Sequence, residues 1–199
     1  MEFQYKKINI IIIARNYNPS IASKDWVLDK GLLTEPIDNF THTPLISFVE
    51  NKSHSLIVDS DRLQISAKIL SPENMEELPK IANKFIVALP ETPYKTMGFN
   101  YIYQVKEEND SLRKLFSPNE RYLKQIFSSG YQLGGTIVFK FKDIFRARVN
   151  IAPTGTDKEK SRIIDFNFHT EIQGREEILQ GLNLYSETKK KAESIITAL

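Results

Sequence analysis

The 199-residue chain contains no cysteine. That excludes a disulfide scaffold, a thiolate nucleophile, zinc sites built on thiolates and iron–sulfur clusters. Histidine is almost as scarce. His42, His54 and His169 are far apart in sequence, and none has a second ligand at the close spacing of a helical zinc motif. Excess charge of one sign is missing too: 27 Lys and Arg face 25 Asp and Glu, a net charge of +2. A chain built to hold nucleic acid along its whole surface is strongly basic, so any basic surface here is local. The apolar run Ile8 to Ala14 contains Asn9 and ends at Arg15 without a small-residue cleavage site. It is too short to span a membrane and unlike a signal peptide. The expectation is a cytoplasmic protein without a membrane partner, and no motif calls for a cofactor.

Core material is plentiful. Hydrophobic residues make up 41% of the chain, with twelve Phe and eight Tyr. This is ordinary globular composition, and disorder is excluded for most of the chain. The run Ile8-Asn9-Ile10-Ile11-Ile12-Ile13-Ala14 is β-branched at nearly every position, which predicts a central strand buried on both faces. Asn16 to Ser20 break it with turn-forming residues. Asp25 to Glu35 hold room for one helical turn stopped by Gly31, with Trp26 plugging the core. Strands follow at about 45–50, 55–60 and 62–69. A helix opens at Ser71-Pro72-Glu73, with an apolar stripe from Met75 to Leu89; Pro79 either kinks it or lies in its first turn. A strand at 95–106 aligns Met97, Phe99, Tyr101, Tyr103 and Val105 on one face. Residues 107–129 read as helical connectors around Leu112 to Phe116 and Tyr122 to Phe127. Strands at 131–141, 144–152 and 162–173 come next, then a C-terminal helix firmest from Ser186 onward.

The order predicts an α+β fold: a mostly antiparallel sheet of about seven strands with two main helices on one face. No Pro/Gly/Ser linker divides it, so 1–199 reads as one domain. Residues 1–106 and 107–199 each give strands and then a helix, which suggests two pseudo-repeated halves, although no residue-level repeat supports them.

Two stretches carry a resemblance. One is Ala14-Arg15-Asn16-Tyr17-Asn18-Pro19-Ser20. The other is Ile81-Ala82-Asn83-Lys84-Phe85 with Leu89-Pro90-Glu91-Thr92-Pro93-Tyr94-Lys95-Thr96-Met97-Gly98-Phe99-Asn100. They resemble a sporadically distributed, uncharacterised prokaryotic protein family that opens with a hydrophobic strand followed by an Arg-Asn-x-Asn-Pro turn. The resemblance implies a prokaryotic origin and carries no known activity.

Two polar constellations stand out. The first is the turn Arg15, Asn16, Asn18, since loops after a central strand are common ligand sites. Against this, Asn readily satisfies the backbone of its own turn. The second is a sheet face. A three-residue loop at Lys142-Asp143-Ile144 sets Phe141 opposite Phe145 and Lys140 opposite Arg146. Lys140, Arg146, Arg148 and Asn150 then share the outward face, whereas a two-residue loop would mix the faces. In the last strand Asp165, Asn167, His169 and Glu171 alternate with apolar residues. This face reads either as a site or as a salt-bridge lattice in water, each pair contributing little.

Other motifs fail. There is no Gly-x-Ser-x-Gly elbow. The residues after each His lack a hydroxyl at the second place, which excludes a paired His-x-Thr/Ser phosphoesterase. Gly130 to Thr136 lead into a strand without the Lys of a phosphate loop, so their glycines serve a bulge or close backbone packing. Lys189-Lys190-Lys191 reads as a solvated helix face.

These readings point first to a non-enzymatic binding or assembly protein acting through a protein partner or a homo-oligomer. The first alternative is a nucleic-acid-binding protein using Lys140, Arg146 and Arg148 with nearby stacking aromatics. The second is a hydrolase or ligand-sensing domain using Asp165, His169 or Glu171 beside Arg148.

Overall fold

The computed structural model of the chain describes residues 2–34, 36–106, 115–116, 118–127, 132–154 and 161–199. The expected connector around Leu112 and residues 107–114, 128–131 and 155–160 lie outside the described residues.

The chain forms an α+β structure on one antiparallel sheet. Its strands are β1 (Phe3–Ala14), β2 (Asn39–His42), β3 (Ile46–Glu50), β4 (His54–Asp59), β5 (Arg62–Ala67), β6 (Tyr94–Lys106), β7 (Gly135–Phe141), β8 (Phe145–Thr154) and β9 (Ser161–Glu171). The helices are α1 (Lys24–Asp29), α2 (Pro72–Ala88), α3 (Glu120–Phe127), α4 (Arg175–Leu182) and α5 (Tyr185–Ala198).

Among the described residues nine strands replace the expected seven or so, and five helices the expected two. β2 was missed because its four residues, Asn-Phe-Thr-His, are exposed and too few to show an alternation. The C-terminal segment is two helices, since Asn183 and Leu184 interrupt it. Ile178, Leu182, Tyr185, Ala192 and Ile196 are its buried stripe.

The sheet order is β2-β3-β4-β5-β1-β6-β9-β8-β7. On one side of the central β1–β6 pair a meander returns to β1 through β5; on the other a meander returns to β6 through β9. This near-symmetry of order holds when the chain is divided before β6, not after it at residue 106.

β1 is central, as its Ile-rich sequence predicts, but only one of its faces is sealed. Ile8, Ile10 and Ile12 are fully buried, whereas Ile11 and Ile13 are half-buried on the other face. The sealed face carries the core. Met97, Phe99, Tyr101 and Tyr103 of β6 join Phe166 and Phe168 of β9 and Phe145 of β8 there, all at 2% exposure or less. α2 covers it with Met75, Leu78, Ile81 and Phe85. The Ser71 side chain caps that helix, accepting from the Asn74 amide at 3.3 Å. Its first turn therefore begins at Pro72, and Pro79 lies inside the helix.

α5 closes the same face. The Tyr101 hydroxyl contacts Thr188 Oγ1 at 2.8 Å and donates to the Tyr185 carbonyl at 3.1 Å. Tyr5 donates to Glu193. Lys189 and Ser186 both donate to Glu76 of α2, each at 2.8 Å. One residue of the Lys189–Lys191 run is therefore pinned between helices, while Lys190 and Lys191 remain exposed. Trp26 is half-buried on α1, with its ring edge-on to Phe85 at 5.6 Å.

Candidate functional site

Because α2 and α5 pack against one face, the other face of the sheet is uncovered among the described residues. Side chains alternate along a strand. Burying Phe166 and Phe168 of β9 therefore turns Asp165, Asn167, His169 and Glu171 to the uncovered face, and burying Phe145 and Ala147 does the same for Arg146 and Arg148. The β7–β8 hairpin has the predicted register: Phe141 opposes Phe145 and Lys140 opposes Arg146. Lys142 and Asp143 make the turn with φ near +52° and +55°.

Registers across the sheet set these residues into rows. In one row Ser66, Asn9, Asn100, Asn167 and Arg148 are successive cross-strand neighbours. Asn167 Nδ2 donates to Asn100 Oδ1 at 2.6 Å, and Asn100 Nδ2 donates to Asn9 Oδ1 at 2.7 Å. This ladder straddles the β1–β6 seam, and Asn9 retains only 3% exposure. The adjacent row brings together Ile11, Gly98, His169, Arg146 and Lys140. Of the expected site residues, then, Lys140, Arg146, Arg148, Asp165, Asn167, His169 and Glu171 share one face.

A salt-bridge lattice does not form there. Lys140, Arg146 and Arg148 are exposed, and among the described residues none of them makes an ion pair with a carboxylate. Asp165 is the nearest anion in effect. Arg148 and Lys7 pull its carboxyl towards ionisation, but desolvation outweighs them and holds its pKa above the ordinary carboxylate value. The acids are also too dispersed to act as one centre. Asp165 and His169 are four residues apart on a strand, about 13 Å, and Glu171 is about 7 Å further on. No grouping of three or more metal-ligating side chains occurs among the described residues. His54 sits elsewhere, buried on β4 with its Nε2 2.8 Å from the Asn74 carbonyl, and the His42 ring stacks on Phe40 at the β2 edge.

The turn Arg15, Asn16, Asn18 lies apart from this face. Asn18 Oδ1 accepts from the Ser20 amide at 3.1 Å and the Ser20 hydroxyl at 2.5 Å, capping a 3-10 turn at Pro19–Ile21. Asn16 takes a left-handed conformation, φ 55°. Both side chains are exposed, and Asn18 serves its own turn. The Arg15 amide donates to the Pro93 carbonyl at 3.1 Å, so Asn16 to Asn18 and Leu89 to Pro93 line one shallow groove of about 360 Å³. The two sequence stretches that carry the resemblance thus meet in space.

Two features of the uncovered face went unread in the sequence. Asn9 registered only as an interruption in an apolar run, and Asn100 only as the end of a stretch that carries the resemblance. Their signal was present: an Asn inside a β-branched strand needs a partner, and the other central strand offers one on its wet face. The second is the edge position of β7, whose residues read as a strand within 131–141 but not as the end of the sheet. Ile137 and Val138 are 36% and 50% exposed, and β8 is the only strand neighbour of β7 among the described residues. Neither a protein-family model nor a curated protein matches this chain.

Proposed function

We propose that the protein works by binding, presenting the uncovered sheet face to a protein partner. The observation that carries this reading is the trio Lys140, Arg146 and Arg148: three exposed cations, two of them directly opposed across β7 and β8, none in an ion pair among the described residues and only Arg148 within electrostatic reach of Asp165. Like charges directly across a sheet are destabilising. A cluster kept at that cost is explained by a negatively charged surface that meets it. The same face holds half-buried Ile11, Ile13, Ile57 and Ile102. A mixed apolar and charged surface of this kind suits a protein better than a nucleic acid. The Phe and Tyr side chains of β6, β8 and β9 all point into the core, so among the described residues bases find no stacking platform beside the cations. Catalysis by Asp165, His169 and Glu171 is disfavoured by their spacing.

The test is face-specific cross-linking in cells that express the chain. A photoreactive residue at Asn150 on the uncovered face is compared with one at Lys190 on α5. A discrete protein adduct from position 150, lost when Lys140 and Arg146 are changed to Glu, supports the reading. Equal adducts from both positions, or adducts to nucleic acid alone, overturn it.

A further inference from the structure

The cation trio lies beside an unpaired sheet edge. β7 ends the sheet among the described residues, so alternate backbone N–H and C=O groups along Gly135–Phe141 point away from β8 with no described strand to receive them. Natural edges are usually blunted by short length, proline, bulges or covering elements. β7 has seven residues, no proline and a regular register with β8 from end to end. It keeps Ile137 and Val138 exposed, one on each face of the sheet. A groove of about 460 Å³ continues from it, lined by Val138, Lys140, Ile144 and Arg146, with Asp143 as its one carboxylate among the described residues.

Resting on the reading of the uncovered face as the binding surface, we propose that β7 receives an extended acidic segment of a partner protein as a tenth strand. Strand addition takes its affinity from main-chain hydrogen bonds and its specificity from alternate side chains. A strand laid beside β7 lies about 4.8 Å from it and about 9.6 Å from β8. Carboxylates at alternate positions then come within reach of Lys140 directly, and of the long side chains of Arg146 and Arg148 one strand further in. The intervening side chains meet Ile137 and Phe139 on the other face. Charge selects this occupant over a second copy of the chain. Pairing β7 with its own copy about a two-fold axis brings two cation trios to one seam with a single turn carboxylate, Asp143, from each copy. Lys140 also guards the edge against uncharged strands, which leaves an acidic one as the preferred addition.

The experiment uses an acetylated, fluorescein-labelled peptide of alternating Glu and Val, as long as β7, titrated with the full chain by anisotropy. Three further probes accompany it: the same peptide N-methylated at alternate residues, a Lys/Val peptide and an oligothymidylate. N-methylation removes strand donors while keeping every charge, so it tests the edge without altering the protein. The expected result is saturable binding of the Glu/Val peptide, weakened about tenfold or more by N-methylation. Lys140→Glu with Arg146→Glu, verified as folded by circular dichroism, reverses the preference towards the Lys/Val peptide. Equal binding of methylated and unmethylated acidic peptides overturns strand addition while leaving the binding face intact. Tighter binding of oligothymidylate than of the peptide overturns both readings. Self-association by sedimentation that the peptide cannot displace gives the edge to a second copy and overturns the acidic occupant. No binding of any acidic probe overturns the proposal outright.

Discussion

Replacing Asn100 by Ala removes the middle rung of the asparagine ladder. Asn100 donates to Asn9 at 2.7 Å and accepts from Asn167 at 2.6 Å, so this single change breaks two hydrogen bonds. Changing Asn9 or Asn167 to Ala breaks one each. A side-chain hydrogen bond nets about 1 kcal/mol. Asn167→Ala is therefore expected to cost about 1 kcal/mol and Asn100→Ala about 2 kcal/mol. The Asn100 change carries a further cost because Asn9, at 3% exposure, loses its donor. For a chain of this length the larger change corresponds to a fall of about 4–8 °C in melting temperature. Urea unfolding followed by circular dichroism reads the difference, with an unchanged slope showing that only stability moved. The sharper readout is the double-mutant cycle. Asn100→Ala with Asn167→Ala should be less destabilising than the sum of the two, by about 1 kcal/mol, because they share a bond. Additivity within about 0.4 kcal/mol, or an Asn100→Ala no worse than Asn167→Ala, refutes a relay of bonds across the seam.

Three other outcomes follow from the same geometry. Tyr101→Phe removes the buried hydroxyl that ties β6 to α5 through Thr188 and Tyr185; it should cost about 1 kcal/mol in urea unfolding, with exchange of the α5 amides accelerated before that of β6. Gly134→Ala places a methyl 2.6 Å from the Ile151 carbonyl oxygen, a rigid backbone atom, and should destabilise by about 1–3 kcal/mol. Asp165 has a carboxyl pKa raised by burial, so the folded state binds its proton more tightly than the unfolded chain does. Its contribution is favourable at low pH and is lost as pH rises from the unfolded value of about 3.8 through the folded one. Asp165→Asn should therefore be more stable than the parent at neutral pH, with the gap closing below that window in a pH series of melting temperatures.

Local patterns made much of this structure legible. The alternation in β5, β8 and β9, the stripe of α2 and the Phe141–Phe145 register depend on neighbours within a few residues, and each was readable. Long-range partnership was not. Nothing in Ile8 to Ala14 states that Phe99 and Ile65 are the residues flanking Ile10, so the pairing of Asn9 with Asn100 stayed hidden although both were in view. The cations of β8 were readable as outward, but the absence of ion pairs to them among the described residues was not, because that depends on how the neighbouring strand sets its acids against them. β2 escaped because propensity cannot act over four exposed residues; only its ladder with β3 defines it.

The position of β1 has a consequence for how the chain is made. β1 is synthesised before every other strand of the described sheet, yet its two neighbours are β5, beginning at Arg62, and β6, beginning at Tyr94. Its run of isoleucines must therefore wait on the ribosome for about fifty residues before a partner exists, and longer before the sheet can close around it. Such non-local pairing slows folding and leaves a sticky strand unpaired meanwhile. Nascent-chain truncations ending before residue 62 should accordingly be the most prone to chaperone capture, and those extending past β6 the first to escape it.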